Sequence, residues 1–171
     1  MATAETPDPL YEMRSSPIHG TGLFAVKEIQ PGTRIVEYLG EKITKAESNR
    51  RGLKRMEEAQ EKGEGSVYIF ELNKRHDIDG KVPYNDARFI NHSCSPNCEA
   101  QNIRGHIWVI ALKRMRPGVE LSLDYGYALE HFLDHPCHCG ASNCAGYIVH
   151  KDDRRKLRRI LARKKPKGGK E

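Results

Sequence analysis

No stretch of this sequence reaches the roughly 18 to 20 apolar residues that a spanning helix needs, and 30% of its 171 residues are charged. A membrane span is therefore not expected. The segment Met1 to Pro9 lacks a basic start followed by an apolar run, so no secretory signal is read there. Intracellular residence and reduced thiols are the expectation that follows. No internal repeat is present. The body of the chain also lacks excess positive charge. Residues 150–171 hold eleven Lys/Arg and three Asp/Glu, which leaves 18 basic and 20 acidic residues over 1–149. The formal charge of +6 thus belongs to the C-terminal segment. A mildly acidic body suits a cationic peptide partner better than a nucleic acid backbone.

What is present is a series of short strand signals separated by turns. Residues 1–10 read as a disordered leader. Ser15 to Ala25 carries glycines two apart before a short apolar run, which reads as a strand reached through a tight backbone loop. Pro31-Gly32 is a turn, and Arg34 to Gly40 is a second strand. Thr44 with Glu47 has capping-box spacing and opens a helix running to Lys62. Leu53 and Met56 share one face of it, nearly everything else is charged, Gly52 weakens it, and Gly63-Glu64-Gly65 ends it. Ser66 to Leu72, His76 to Asp79, Cys98 to Ile103, Ile107 to Leu112 and Val119 to Tyr125 read as further strands. Lys151 to Lys165 reads as a basic helix with acids at its positive end, and the residues beyond it read as disordered. These signals predict a mainly β (β-rich α+β) domain with one inserted helix.

Three stretches carry chemistry. Arg88-Phe89-Ile90-Asn91-His92-Ser93-Cys94-Ser95-Pro96-Asn97-Cys98 sets polar groups directly after an apolar approach. Such groups are costly to bury unless each is partnered, so this looks like the floor of a site. Glu120 to Tyr127 ends a strand in Tyr125 and Tyr127. Cys137, Cys139 and Cys144 crowd three thiols into a Gly- and Asn-bearing loop, one short of a tetrahedral zinc site. Five cysteines leave one over; Cys94 can be the fourth ligand and Cys98 the spare, with His138 and His135 as competing donors. His19-Gly20-Thr21-Gly22 would allow close backbone approach to a ligand, although Gly-x-Gly is more often only a turn.

Taken together, from about Tyr11 to His150, these segments resemble the SET-domain protein lysine methyltransferases. The resemblance is carried by His19 to Gly22, Glu37-Tyr38-Leu39-Gly40-Glu41, Ile78-Asp79, Arg88 to Asn97, Glu120 to Tyr125, and the three late cysteines followed by Gly146-Tyr147-Ile148. It implies small β-sheets around a pseudoknot, in which the Asn91–Cys94 and Tyr125 segments lie against each other. The expected division is a SET domain over 11–128, a post-SET zinc segment over 129–150 and a basic helix with a disordered tail over 151–171. The resemblance also implies S-adenosylmethionine as methyl donor, contacted by His19, Gly20, Thr21, Gly22, Tyr68, Arg88, Asn91 and His92. Tyr125 would be the catalytic tyrosine, with Leu123, Tyr127 and Ala100 along the substrate channel. Cys94, Cys137, Cys139 and Cys144 would bind one structural zinc.

The implied activity is methyl transfer to a lysine ε-amine in a protein, a histone or another basic tail, with nucleus or chromatin as its place in a eukaryote and cytoplasm in a bacterium. The alternative is a catalytically weak, zinc-bearing module that docks on chromatin or nucleic acid. The basic segment 151–171 is a candidate for nucleic acid contact in either case. Leu123 stands where many relatives carry an aromatic residue, and with the small Ala100 this leads to an expectation of more than one methyl per lysine. Asp79-Gly80, Tyr84-Asn85 and Ala145 also depart from the usual family run, and no pre-SET cysteine cluster precedes the domain.

Overall fold

The structure, a computed structural model, describes residues 9–62 and 68–164. In chain order its strands are β1 (Tyr11–Ser15), β2 (Thr21–Ala25), β3 (Arg34–Tyr38), β4 (Glu41–Thr44), β5 (Ile69–Glu71), β6 (His76–Asp79), β7 (Asn91–His92), β8 (Cys98–Ile103), β9 (His106–Ala111) and β10 (Ser122–Leu123). Helix α1 (Lys45–Lys62) follows β4, and α2 (Arg154–Lys164) lies at the C-terminal end of the described chain. The strands make four small sheets: β1-β2, β3-β9-β8, β4-β6-β5 and β10-β7. The mainly β expectation holds.

Three strands were not legible beforehand, the two-residue β7 in the polar stretch after Ile90 and two others. β1 leaves four of its five residues exposed, so nothing in its side chains marks a buried face; it pairs through its backbone with β2, Tyr11 opposite Ala25. β4 is the stretch just before the helix cap, and it pairs with β6. The expected strand over 119–125 narrows to β10 plus a bridge from Glu120 to Phe24. Of the 66–72 strand only Ile69–Glu71 forms; residues 66 and 67 and the glycines at 63 and 65 lie outside the described residues.

The main core gathers Leu23, Ile29, Ile90, Val109, Leu121 and Leu123 from five different segments. Each such buried aliphatic side chain contributes about 1.5–3 kcal/mol relative to exposure. A second, smaller core joins Leu129, Phe132 and Val149 to Leu157 of α2. That contact docks the basic helix on the body.

Helix α1 begins as its cap predicts, with the Glu47 amide donating to Thr44 Oγ1 at 3.3 Å. Its attachment is not apolar, because Leu53 is 64% exposed. Ion pairs hold it instead. Arg55 donates to both Asp79 oxygens at 2.9 and 2.7 Å, Arg51 reaches Asp79 at 2.8 Å, and Lys45 reaches Asp77 at 2.6 Å. Burial by itself would raise the Asp79 carboxyl, but the two arginines overcome it and hold the group at about 2. The unfolded chain binds more protons than the folded one between about pH 2 and 4. This contribution, on the order of 2 kcal/mol, is therefore present above about pH 4 and lost as the pH falls through 2. Asp79→Asn leaves two arginines facing an uncharged group and is expected to cost about 2–3 kcal/mol, read as a fall of about 5–10 °C in Tm. The neighbouring Gly80 is equally specific, since a Cβ there would collide with the Tyr38 hydroxyl.

Candidate active site and metal centre

The site forms where two strands far apart in sequence run side by side. β7 pairs in parallel with β10, Asn91 opposite Ser122 and His92 opposite Leu123, and the Ser93 amide extends the ladder to the Leu123 carbonyl at 2.8 Å. Asn97 fastens the crossing from the other side. Its Nδ2 donates to the Glu120 carbonyl at 2.7 Å, and its Oδ1 accepts from the Ser122 amide at 2.8 Å. Such threading is rare in proteins, and here it presses the Asn91–Cys94 stretch against the Tyr125 stretch.

Asn91 organises the glycine loop. Its Nδ2 donates to the carbonyls of His19 and Thr21, both at 3.1 Å, and to Glu120 Oε1 at 2.9 Å. Ser16 Oγ donates to the same Glu120 oxygen at 2.7 Å. Gly22 is glycine for a local reason: a Cβ there would collide with the Glu120 carboxylate. Gly20 has φ +49, and a Cβ on it would meet nothing within 4 Å, so this side of the loop is open to a ligand. His19 and Thr21 are exposed beside it. An open loop of backbone with a fixed carboxamide behind it fits a polar cofactor such as S-adenosylmethionine. Glu120, which ties this loop to the crossing, was read only as the start of a strand; a carboxylate entering an apolar alternation was the signal.

Tyr125 stands at the centre of an aromatic row. Its ring lies 5.4 Å from His92 and 5.6 Å from Tyr127, and Tyr127 lies 4.4 Å from His135. The Tyr125 hydroxyl donates to the Ile90 carbonyl at 2.9 Å. Burial, then the nearby Tyr127, Tyr68 and Tyr38, push its pKa far above the ordinary value, so it keeps its proton. The Tyr68 carbonyl accepts the Tyr38 hydroxyl at 2.9 Å. Leu123 is buried in the main core, and Ala100 on β8 packs against that core, as Tyr125 does. The Arg88 guanidinium donates to the Val82 carbonyl and lies over the Phe89 ring at 4.6 Å, so it is engaged on that side.

His92 links this row to the cysteines. Burial lowers its pKa to about 4, the first cause of the shift, so the ring is neutral near pH 7. Its Nδ1 accepts the Tyr125 amide at 3.2 Å, which assigns the proton to Nε2, 3.4 Å from Cys94 Sγ.

The sulfurs of Cys94, Cys137, Cys139 and Cys144 all lie within 4.8 Å of one another. A tetrahedral zinc with Zn–S bonds near 2.3 Å sets sulfurs about 3.8 Å apart, and Cys94 Sγ stands 3.9 Å from Cys137 Sγ. The Cys94 amide donates to Cys139 Sγ at 3.4 Å, and the Gly146 amide to Cys144 Sγ at 3.3 Å. Four unpaired thiols, with amide donors on the sulfurs of Cys139 and Cys144, fit zinc. Cys94 is the fourth member of the cluster, beside Cys137, Cys139 and Cys144. Cys98 is outside it, with burial pushing its thiol up to about 12.

Two further residues were missed. Asn143, in the cysteine loop, donates to the Cys94 carbonyl at 3.0 Å. Arg154 of α2 donates to that carbonyl and to Asp124, each at 2.5 Å. In the sequence both are ordinary polar residues, and Arg154 is one cation among many.

The SET domain family profile matches residues 20–126. Similar proteins include Histone-lysine N-methyltransferase 2D of Homo sapiens, 39% identical over 140 residues, covering 78% of this chain and 2% of that protein. Histone-lysine N-methyltransferase set-2 of Caenorhabditis elegans is 40% identical over 139 residues, covering 78% of this chain and 9% of its own. Histone-lysine N-methyltransferase, H3 lysine-4 specific, of Aspergillus oryzae is 37% identical over 139 residues, covering 78% and 11%. The chain therefore spans a small part of the length of each of these relatives.

Proposed function

The chain belongs to the SET-domain family, and from that premise we propose that it transfers methyl groups from S-adenosylmethionine to the ε-amine of a lysine in a histone or similar basic protein. The observation that carries the reading is the parallel pairing of β7 with β10, which brings the open glycine loop, Asn91-His92 and Tyr125 to one place.

When bound, S-adenosylmethionine supplies a methyl group on a positively charged sulfur. His19 to Gly22 would lie along it with their backbone, and Asn91 keeps that loop in shape. Tyr68, Arg88 and His92 complete the proposed cofactor residues. The substrate lysine has to arrive neutral, whereas free lysine has a pKa near 10.4; a dry channel and a nearby positive charge both lower that value. Tyr125 does not take the proton. Its hydroxyl hydrogen stays on the Ile90 carbonyl, leaving oxygen lone pairs to accept an amine N–H and orient the nucleophile. Tyr127 and Ala100 would line the lysine path, and Leu123 would form its floor. Four thiolates make a closed zinc site, so the metal would hold the segment and take no part in the chemistry.

The test is transfer of labelled methyl from S-adenosylmethionine to core histones and to a protein extract, beside calorimetry of cofactor binding. Label on histones is the expected result. A folded protein that neither binds the cofactor nor transfers label would move the reading to the docking module. Leu123 bears no hydroxyl or ring to restrict the amine, so mass spectra of the product are expected to show two or more methyls; a product that never passes one methyl overturns this.

Nucleus or chromatin is the proposed location, and no described helix is long and apolar enough to cross a membrane. Nucleic acid contact is proposed through α2. On α1, Arg50, Arg51, Lys54 and Arg55 all face acids. On α2, Arg155, Lys156, Arg159 and Arg163 are exposed and form no ion pair among the described residues. Duplex DNA affinity is expected to fall with salt with a log–log slope of about −3 to −4, since each neutralised phosphate contributes about −0.9. Removal of those four charges with no change in slope would remove the idea.

A further inference from the structure

The buried cation on α2 has a task that neither its charge nor the zinc cluster accounts for. We infer that Arg154 is a positioning residue for Tyr125, so that the helix closing the cysteine lobe also sets the tyrosine. Its part in methyl transfer rests on the function proposed above.

Only 9% of the Arg154 side chain is exposed. Its Nη2 donates to Asp124 Oδ2 at 2.5 Å, and Asp124 directly precedes Tyr125. The other Asp124 oxygen accepts the Gly126 amide at 3.1 Å, in a turn where Gly126 has φ +62. The carboxylate therefore spans the residues on both sides of the tyrosine, and Arg154 fixes the carboxylate. Nη1 donates to the carbonyl of Cys94, to which Asn143 also donates. Arg158, one turn on, donates to the Asn143 carbonyl at 2.5 Å. One guanidinium thus ties the tyrosine turn to a proposed zinc ligand, and one helix ties both to the cysteine loop.

Stability alone is a poor reason for this arrangement. A buried ion pair gives back much of its attraction as desolvation, and apolar residues of similar size often stabilise as well or better. Nε of Arg154 is buried with no partner, a further cost. What the fork provides that an apolar side chain cannot is direction, because two parallel N–H donors fix the angle between Asp124 and the Cys94 carbonyl.

The experiment uses the full, zinc-loaded chain with Arg154→Ala, Arg154→Lys, Asp124→Asn, the Arg154→Ala/Asp124→Asn double variant, and Leu157→Ala as a reference for lost stability. Arg154→Ala and Asp124→Asn are each expected to lower kcat about 10-fold or more, as small misplacements of reacting groups do. The KM for S-adenosylmethionine should stay within about 3-fold, and the double variant should lose no more than the worse single, because the two residues act as one unit. Arg154→Lys, whose donors sit on one nitrogen without the planar fork, should fall between. Leu157→Ala should lower Tm and leave kcat near that of the unchanged protein.

Exchange of the Tyr125 and Gly126 amides, read without any turnover, should quicken in Arg154→Ala and not in Leu157→Ala. Unchanged kcat in folded Arg154→Ala, multiplying losses in the double variant, or equal effects from Leu157→Ala would each overturn the inference. If Arg154→Ala does not fold, Arg154→Lys and Asp124→Asn decide by the same readings. If the unchanged chain transfers no methyl, the function proposal fails, while amide exchange still decides whether Arg154 positions Tyr125.

Discussion

Tyr125→Phe is expected to fold, to bind S-adenosylmethionine with an affinity within about 3-fold of the original, and to transfer methyl about 10²–10³-fold more slowly, the scale of one lost preorganised hydrogen-bonding group. The fold tolerates the change because the ring stays where it packs, between His92 and Tyr127. The hydroxyl's one bond, to the Ile90 carbonyl, is the part that goes. A phenylalanine ring holds no lone pair toward an arriving amine, so the nucleophile loses its orientation while the cofactor loop, held by Asn91 and Glu120, is untouched. Initial rates with labelled S-adenosylmethionine and calorimetry on the same preparations check this. A rate within about 3-fold of the unchanged protein would remove Tyr125 from its proposed role.

Cys94→Ser is expected to lose the metal, falling from one zinc per chain to nearly none after dialysis against a mild chelator. It is also expected to lose methyl transfer together with the order of residues 129–150. Serine is a poor substitute because structural zinc is held by four soft or imidazole donors, and binding to such a site is coupled to folding. Cys94 is the one member of the cluster that belongs to the crossing; Cys137, Cys139 and Cys144 all come from the later loop. Its sulfur is also the atom that His92 Nε2 faces. Removing it takes away the one sulfur that joins the lobe to the crossing, while the bonds of Asn143 and Arg154 to the Cys94 carbonyl remain. Cys98→Ser provides the contrast, since Cys98 lies outside the cluster. It should keep one zinc and pay only the cost of a polar atom in the core, about 1–3 kcal/mol. Metal content by absorption spectroscopy and limited proteolysis around residue 140 read both variants. Full zinc in Cys94→Ser would show that three cysteines and another donor make the site.

Where side-chain chemistry is local, the sequence was a good guide. β8 appears with the limits read between the preceding turn and Gly105, Cys98–Ile103. The cap of α1 follows from Thr44 and Glu47, three residues apart. Three cysteines crowded into one loop signalled a cluster, and their sulfurs do meet that of Cys94 within 4.8 Å. β1 gave no such signal, since a strand that exposes nearly all its side chains owes its existence to the neighbour its backbone finds. The attachment of α1 was not legible for a related reason. The charged run reads as a solvated helix, and the exposed Leu53 agrees, but what holds the helix is arginines reaching Asp79 some 24 and 28 residues away.

The sequence by itself determined the family of the chain, its mainly β character and the three cysteines crowded into one late loop. Each of these rests on residue types at short, readable spacing. Only the tertiary structure decided that Glu120 and Asn91 build the glycine loop, that His92 bridges the tyrosine amide and a cysteine sulfur, and that Arg154 is no ordinary member of a basic tail. The Arg154 bond to Cys94 spans 60 residues, and a contact of that range exists only once the strand crossing and both cores have closed around it.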